Sequence, residues 1–285
     1  MFVTPETFER HLQWIRQHLA VVRLADWVEA VAAGATVPAR ACAITFDDGW
    51  HDNYTHALPL LAAAGVPATV FAVSGFIGTR RAFWPNRIAR LLRAAPALVS
   101  GMAELQWLRD AARSAGIDIA AAATDPEAVS RLIAVCKARP DAWLHQALDV
   151  AEAAAPGLVA GRAMLDWDEL AEMQQSGIFD VGSHTRTHQR LVAGLEPAVL
   201  EDEIVGSRQE LERHLGVAPT VFCYPNGDLT PAAESLVAHT YQAAVTTRRG
   251  INRLSTPRAS LYRVGMHEDA SRTRGQFLAR LAGWL

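Results

Sequence analysis

Thr45-Phe46-Asp47-Asp48-Gly49-Trp50 sets two adjacent carboxylates behind an apolar run. Adjacent side chains on an extended backbone point in different directions, so one acid can ligate a cation while its neighbour serves as a base. Gly49 permits the tight turn that such a pair needs. By itself a DDG also describes an ordinary turn. A second cluster, Ser183-His184-Thr185-Arg186-Thr187-His188, holds two imidazoles that can meet on one metal ion if the segment is turned or helical. A solvated, inert histidine pair is the alternative. Taken together, one carboxylate and two imidazoles form a facial set that leaves positions open for water and substrate, as a catalytic metal requires.

Such residues must be carried to one place by the elements around them. ACAITFDD is apolar and then abruptly acidic, which predicts a buried parallel strand with its acids at the carboxyl edge. The stretch from Asn53 to Gly65 reads as a helix and ATVFAVSG as a second strand, giving a strand, helix, strand order. IFDVGSH, TVFCYPNGD and QAAVTTRRG again place polar residues after short apolar runs. Repeated units of this kind build an α/β sheet with its site on one rim. Ahead of them, TPETFERHLQWIRQHL predicts a capped helix, VVRL a short strand, and ADWVEAVAAG a helix ending at Gly34. Between about 83 and 161 the chain is rich in Ala, Leu and Arg and poor in strand signals, which predicts a helical insertion in a single domain spanning 1–285.

With 285 residues, half of them hydrophobic, the chain can bury a substantial core. A net charge of -3 without a basic stripe argues against a nucleic-acid partner. Cys42, Cys136 and Cys223 lie far apart with no CxxC, so buried free thiols are expected. No stretch reaches membrane-spanning length and no leader pattern opens the chain, so as written it reads as a cytoplasmic protein. A truncated start would allow the periplasm or cell envelope.

TFDDG and the pattern of histidine, serine or threonine, two variable residues and histidine are the first two motifs of the polysaccharide deacetylases, the carbohydrate esterases with a NodB homology domain. The chain matches both, and it resembles that family. VTPETFERHL, DNYTHALPLL, GVPATVFAVSGFIG, WPNRI, LDWDEL and YRVGMHED are similar to the bacterial branch acting on exopolysaccharides. The resemblance implies a distorted (β/α) barrel of roughly seven parallel strands. It also implies Asp48, His184 and His188 as ligands of a divalent metal, zinc first, with cobalt, nickel or manganese accommodated. Asp47 is then the general base.

The family's third motif, R-x-P-aromatic-G, stands here as Cys223-Tyr224-Pro225-Asn226-Gly227. Proline and glycine keep register, while the Arg and the aromatic are absent. The family's Arg steadies the catalytic aspartate, and Arg263 is the alternative source of that support. The backbone N–H of Asn226 remains available for an oxyanion. His267, in RVGMHED, is the candidate general acid, since family members carry that histidine on a late strand; an exposed histidine beside two acids is the other reading. Trp84 and Trp167 are expected to pack rather than to serve as sugar platforms, Trp50 beside the acids is open to either role, and His214 and His239 are expected on helix surfaces. The implied activity is removal of N- or O-acetyl groups from a carbohydrate. A catalytically silent sugar-binding relative and a metal-dependent amidase on a small non-sugar amide are the competing readings.

Overall fold

A computed structural model of the chain describes residues 3–155 and 161–283. Cα packing separates two compact units, Met1–Thr79 with Met164–Leu285, and Arg80–Ala163.

Among the described residues, the first unit is built on eight strands: β1 (Ala20–Val21), β2 (Ala41–Cys42), β3 (Ile44–Phe46), β4 (Ala68–Ala72), β5 (Phe179–Ser183), β6 (Val221–Cys223), β7 (Ala243–Arg249) and β8 (Leu261–Arg263). Strands β3 to β8 form one sheet in sequence order, every neighbouring pair parallel. This is the singly wound order of a (β/α) barrel, with all carboxyl ends on one rim. Among the described residues six strands form the sheet, in keeping with the roughly seven expected. The apolar run ACAITF, read as one strand, divides at Ala43 into β2, which pairs with β1, and β3. Strand β3 lies at the sheet edge and is half-buried, whereas every residue of β4 is buried.

Period-two alternation sorts the side chains into layers. Val70, Ala72, Phe179 and Val181 pack outward with Leu61, Leu170 and Leu211 of the surrounding helices. Phe71, Val221, Cys223 and Val245 face the other way and pack with Leu24 and Val28 of the helix Leu24–Ala32. That helix therefore plugs the concave face of the curled sheet. Phe71 pairs in register with Gly182, where a Cβ would fall 2.4 Å from the Phe71 ring, so the ring needs a glycine beside it. At the same face Arg23 forms an ion pair with Asp180 at 2.6 Å.

The helix Pro5–His18 is capped by the Thr4 side chain as its sequence predicts. The predicted helix from Asn53 opens as a π turn, Asn53–Ala57, continues as Leu58–Ala64, and stops at Gly65 in the left-handed conformation.

The second unit is helical among its described residues, with Trp84–Ala94, Gln106–Ser114, Pro126–Cys136 and Asp141–Ala154 as its longest elements. It has its own core, including Ile88, Leu92, Leu108, Leu132, Leu144 and Leu148. Arg87, nearly buried there, is satisfied by Glu152 and Asp149.

Candidate active site

The residues with chemical potential stand where parallel strands end. Asp47 and Asp48 follow β3, His184 follows β5, the Tyr224-Pro225-Asn226-Gly227 turn follows β6, and Arg263 closes β8. Asp48 Oδ1 lies 3.4 Å from His184 Nε2 and 3.6 Å from His188 Nε2. The two imidazoles stand 5.0 Å apart with planes crossing at 73°. Asp48, His184 and His188 thus bring one ligand atom each within 4.8 Å of one another. His184 is buried, while His188 and Asp48 are partly open, which leaves a side for water and substrate.

The donor set can be tested on its hydrogen bonds. His184 Nδ1 meets the Cys223 carbonyl oxygen at 2.7 Å. A carbonyl only accepts, so Nδ1–H donates and Nε2 is the atom turned toward Asp48. The gap between Nε2 and the carboxylate calls for positive charge, either a proton on Nε2 that donates to Asp48 or a divalent cation that would take the Nε2 lone pair and Oδ1 together. Asp48 Oδ2 accepts from the Trp50 indole N–H at 2.9 Å, which leaves Oδ1 to face the histidines. Burial works against the Asp48 carboxylate, but the hydrogen bond with His184 and the charge of His188 outweigh it and hold it below the ordinary range. The three residues fit a divalent cation. Asp47, His184 and Cys223 also cluster. Arg263, however, already neutralises the Asp47 charge, His184 Nδ1 is taken by a carbonyl, and burial keeps the Cys223 thiol protonated.

Asp48, Thr185, His188 and Asn226 all have positive φ, at 78°, 65°, 61° and 55°. Non-glycine residues adopt this region at a cost, and such residues gather at functional sites.

Arg263 grips Asp47 with two parallel bonds, Nη1 to Oδ1 at 2.6 Å and Nη2 to Oδ2 at 2.8 Å. Its Nε donates to the Thr246 carbonyl and its Nη1 to Thr45 Oγ1, so the fork is fixed from three sides. This side chain also ties the last strand of the sheet to the first. Burial pushes Asp47 up, yet Arg263 prevails and the carboxyl falls to about 2. Arg263 therefore supplies the support that the Cys223 position lacks.

The turn after β6 closes with Gly227 N–H to the Tyr224 carbonyl and Asp228 N–H to the Pro225 carbonyl. The Asn226 N–H stands outside both bonds, and the Asn226 carbonyl accepts from Thr247 Oγ1. Gly227, with φ 76°, lies so close to Thr247 that a Cβ would fall 2.0 Å from its hydroxyl.

His267 departs from its expected place. Strand β8 ends at Arg263, and His267 is the residue before the short helix Glu268–Ser271. Among the described residues, the charges that bear on its ring are those of Arg280 and Asp269, and no described bond joins it to Asp47, Asp48, His184 or His188. The reason lies next door: Glu268 accepts from the Thr4 N–H and the Thr7 hydroxyl, which ties this segment to the start of the first helix.

Trp84 is buried, as expected of a packing residue. Trp167 stacks on His214 at 3.8 Å. Sequence reasoning did not find three contributors: the Cys223 carbonyl, the Trp50 indole bond to Asp48, and Glu203. The last accepts from the backbone N–H groups of Arg186 and Thr187. An acid beside Ile204 on a buried helix face was the available signal for Glu203; a main-chain carbonyl leaves none.

Comparison with known proteins places this arrangement. The sequence profile described as Polysaccharide deacetylase matches residues 34–118 and 141–244. A Putative polysaccharide deacetylase YxkH of Bacillus subtilis (strain 168) is 32% identical over 77 residues, which span 27% of this chain and 28% of that relative. In fold, the chain is similar to the Streptococcus pyogenes deacetylase PplD in complex with acetate, with TM-score 0.61 and 18% identity over 98% of this chain and 87% of that one. It is equally similar to IcaB from Ammonifex degensii, with TM-score 0.61 and 18% identity over 99% of this chain and 88% of that one. With the profile covering more than half of its length, the chain belongs to the polysaccharide deacetylase family.

Proposed function

We propose that this chain is a metal-dependent deacetylase that hydrolyses N- or O-acetyl groups of a carbohydrate polymer or oligosaccharide. The observation that carries the reading is the meeting of Asp48, His184 and His188 beside an Arg263-bound Asp47. Asp48 and the two histidines would hold the cation, zinc before cobalt, nickel or manganese for a set of one carboxylate and two imidazoles. Such an ion, when bound, polarises an acetyl carbonyl and lowers the pKa of water toward about 7.

The chain's own residues do the rest. Asp47 accepts the proton of the attacking water. Arg263 uses two of its lone pairs and leaves others free, and keeps the carboxyl ionised throughout the working pH range. Trp50 fixes Asp48, and the Cys223 carbonyl fixes His184. The Asn226 N–H is assigned to the oxyanion of the tetrahedral intermediate. His267 is the donor that the family resemblance implies for the leaving group, an assignment without support from its neighbours.

The test is mass spectrometry of acetylated glucosamine oligomers after incubation with zinc-loaded protein. Loss of acetyl units is the expected result. Unchanged oligomers in the presence of protein that holds zinc would overturn the reading, and turnover of small amides alone would replace it with the amidase.

A further inference from the structure

His184 and His188 must both reach Asp48, yet the segment between them is neither helix nor strand. Thr185 and His188 take left-handed backbone angles, 65° and 61° in φ. For residues with a Cβ this conformation costs on the order of 1 kcal/mol each, so something must hold it.

Glu203 is placed to do so. It is 5% exposed and lies in a π turn, Asp202–Gly206, set within the helical run from Pro197 to Leu215. Its Oε2 accepts from the backbone N–H groups of Arg186 and Thr187, both at 2.9 Å, and its Oε1 accepts from the Thr187 hydroxyl. On the opposite side, the carbonyls of Thr185 and Arg186 accept from Ser74 N–H at 3.3 Å and Gly75 N–H at 2.8 Å. The middle of the segment is thus gripped through donors by Glu203 and through acceptors by the turn after β4. A buried carboxylate taking three donors is held strongly.

The grip bears unequally on the two histidines. His184 is anchored independently, its N–H donating to the Ala72 carbonyl and its ring to the Cys223 carbonyl. His188 comes directly after the gripped Thr187. We infer that Glu203 is a positioning residue of the metal centre, holding the bend between Thr185 and His188 so that His188 meets Asp48 and His184. This rests on the metal-dependent reading above.

Zinc affinity, measured by competition with a chromophoric chelator, tests it without substrate. Glu203→Ala should weaken zinc binding by about 10- to 100-fold while circular dichroism shows a folded protein. In a His188→Ala background the same substitution should change affinity by less than about threefold, because its effect runs through the histidine already removed. Glu203→Gln keeps the shape and one acceptor oxygen, should fall between the two, and carries the comparison if the alanine variant does not fold. Folded variants that bind zinc like the parent, or an equal loss with and without His188, overturn the assignment alone. A parent protein that takes up no zinc overturns the metal reading and this assignment together.

Discussion

The Arg263 guanidinium holds both carboxylate oxygens of Asp47, at 2.6 and 2.8 Å, across the open edge between the last strand of the sheet and the first. Planar bidentate contact of this kind is beyond a lysine, whose ammonium is a point charge. Arg263→Lys should therefore keep the metal, since no ligand is touched, and lose about 100-fold in kcat through misplacement of Asp47. Arg263→Ala should in addition lower stability by about 1–3 kcal/mol, because a half-buried carboxylate is left without its partner. Metal content by elemental analysis beside kcat checks both, and an unchanged kcat in Arg263→Lys would show that the fork does not serve catalysis.

The neighbouring acids should separate cleanly. Asp47→Asn should retain metal and lose turnover by about 100- to 10,000-fold, as removal of a general base does. Asp48→Asn and His184→Ala should lose the metal first, with activity following it. Metal loss in Asp47→Asn with retention in Asp48→Asn would reverse the two roles.

Which parts of this arrangement show in the sequence follows from what each residue does. ATVFA and FDVGS read as strands because both faces of a parallel strand are covered, so the apolar run is continuous and ends where the rim begins. The same logic put Asp47, Asp48 and His184 at strand ends. It overextended ACAITF, because apolar residues alone do not show that Ala41–Cys42 pairs with Ala20–Val21 outside the main sheet. Arg263 could be offered only as a substitute, for a contact spanning 216 positions has no local signature. The motif around His267 could not show that the neighbouring Glu268 accepts from Thr4 and Thr7 and so ties that segment to the first helix.

His145, in the helix Asp141–Ala154, gives the second unit a pH dependence of its own. Burial first, and then the charges of Arg87 and Arg81, depress its imidazole to about 4 against the opposing pull of Asp149 and Asp141. A folded value below the ordinary 6.5 means that the unfolded segment binds more protons between those limits, so stability falls as pH drops from about 6.5 toward about 4. Amide exchange in Trp84–Ala94 and Asp141–Ala154, corrected for intrinsic rates, should show faster opening at pH 5 than at pH 7. His145→Gln should remove most of that difference, and an identical pH response in the variant would assign it elsewhere.

The role that the family resemblance implies for His267 can be decided by kinetics. An amide nitrogen leaves poorly unless protonated, whereas an activated aryl ester needs no proton, and a general acid is worth about 100- to 10,000-fold. If His267 protonates the leaving group, His267→Ala must slow amide hydrolysis far more than ester hydrolysis. Burial, first, and the charge of Arg280 lower the affinity of its ring for a proton, against the pull of Asp269. Its carbonyl accepts from Ser271 Oγ at 2.6 Å and from the Ala270 N–H at 3.0 Å, which makes the residue the start of a short helix. The expected outcome is therefore that His267→Ala leaves the ratio of amide to ester rates within about twofold of the parent, far short of the loss that removing an acid entails. A selective loss on the amide would establish His267 in the chemistry and require its ring to approach the metal ligands during turnover.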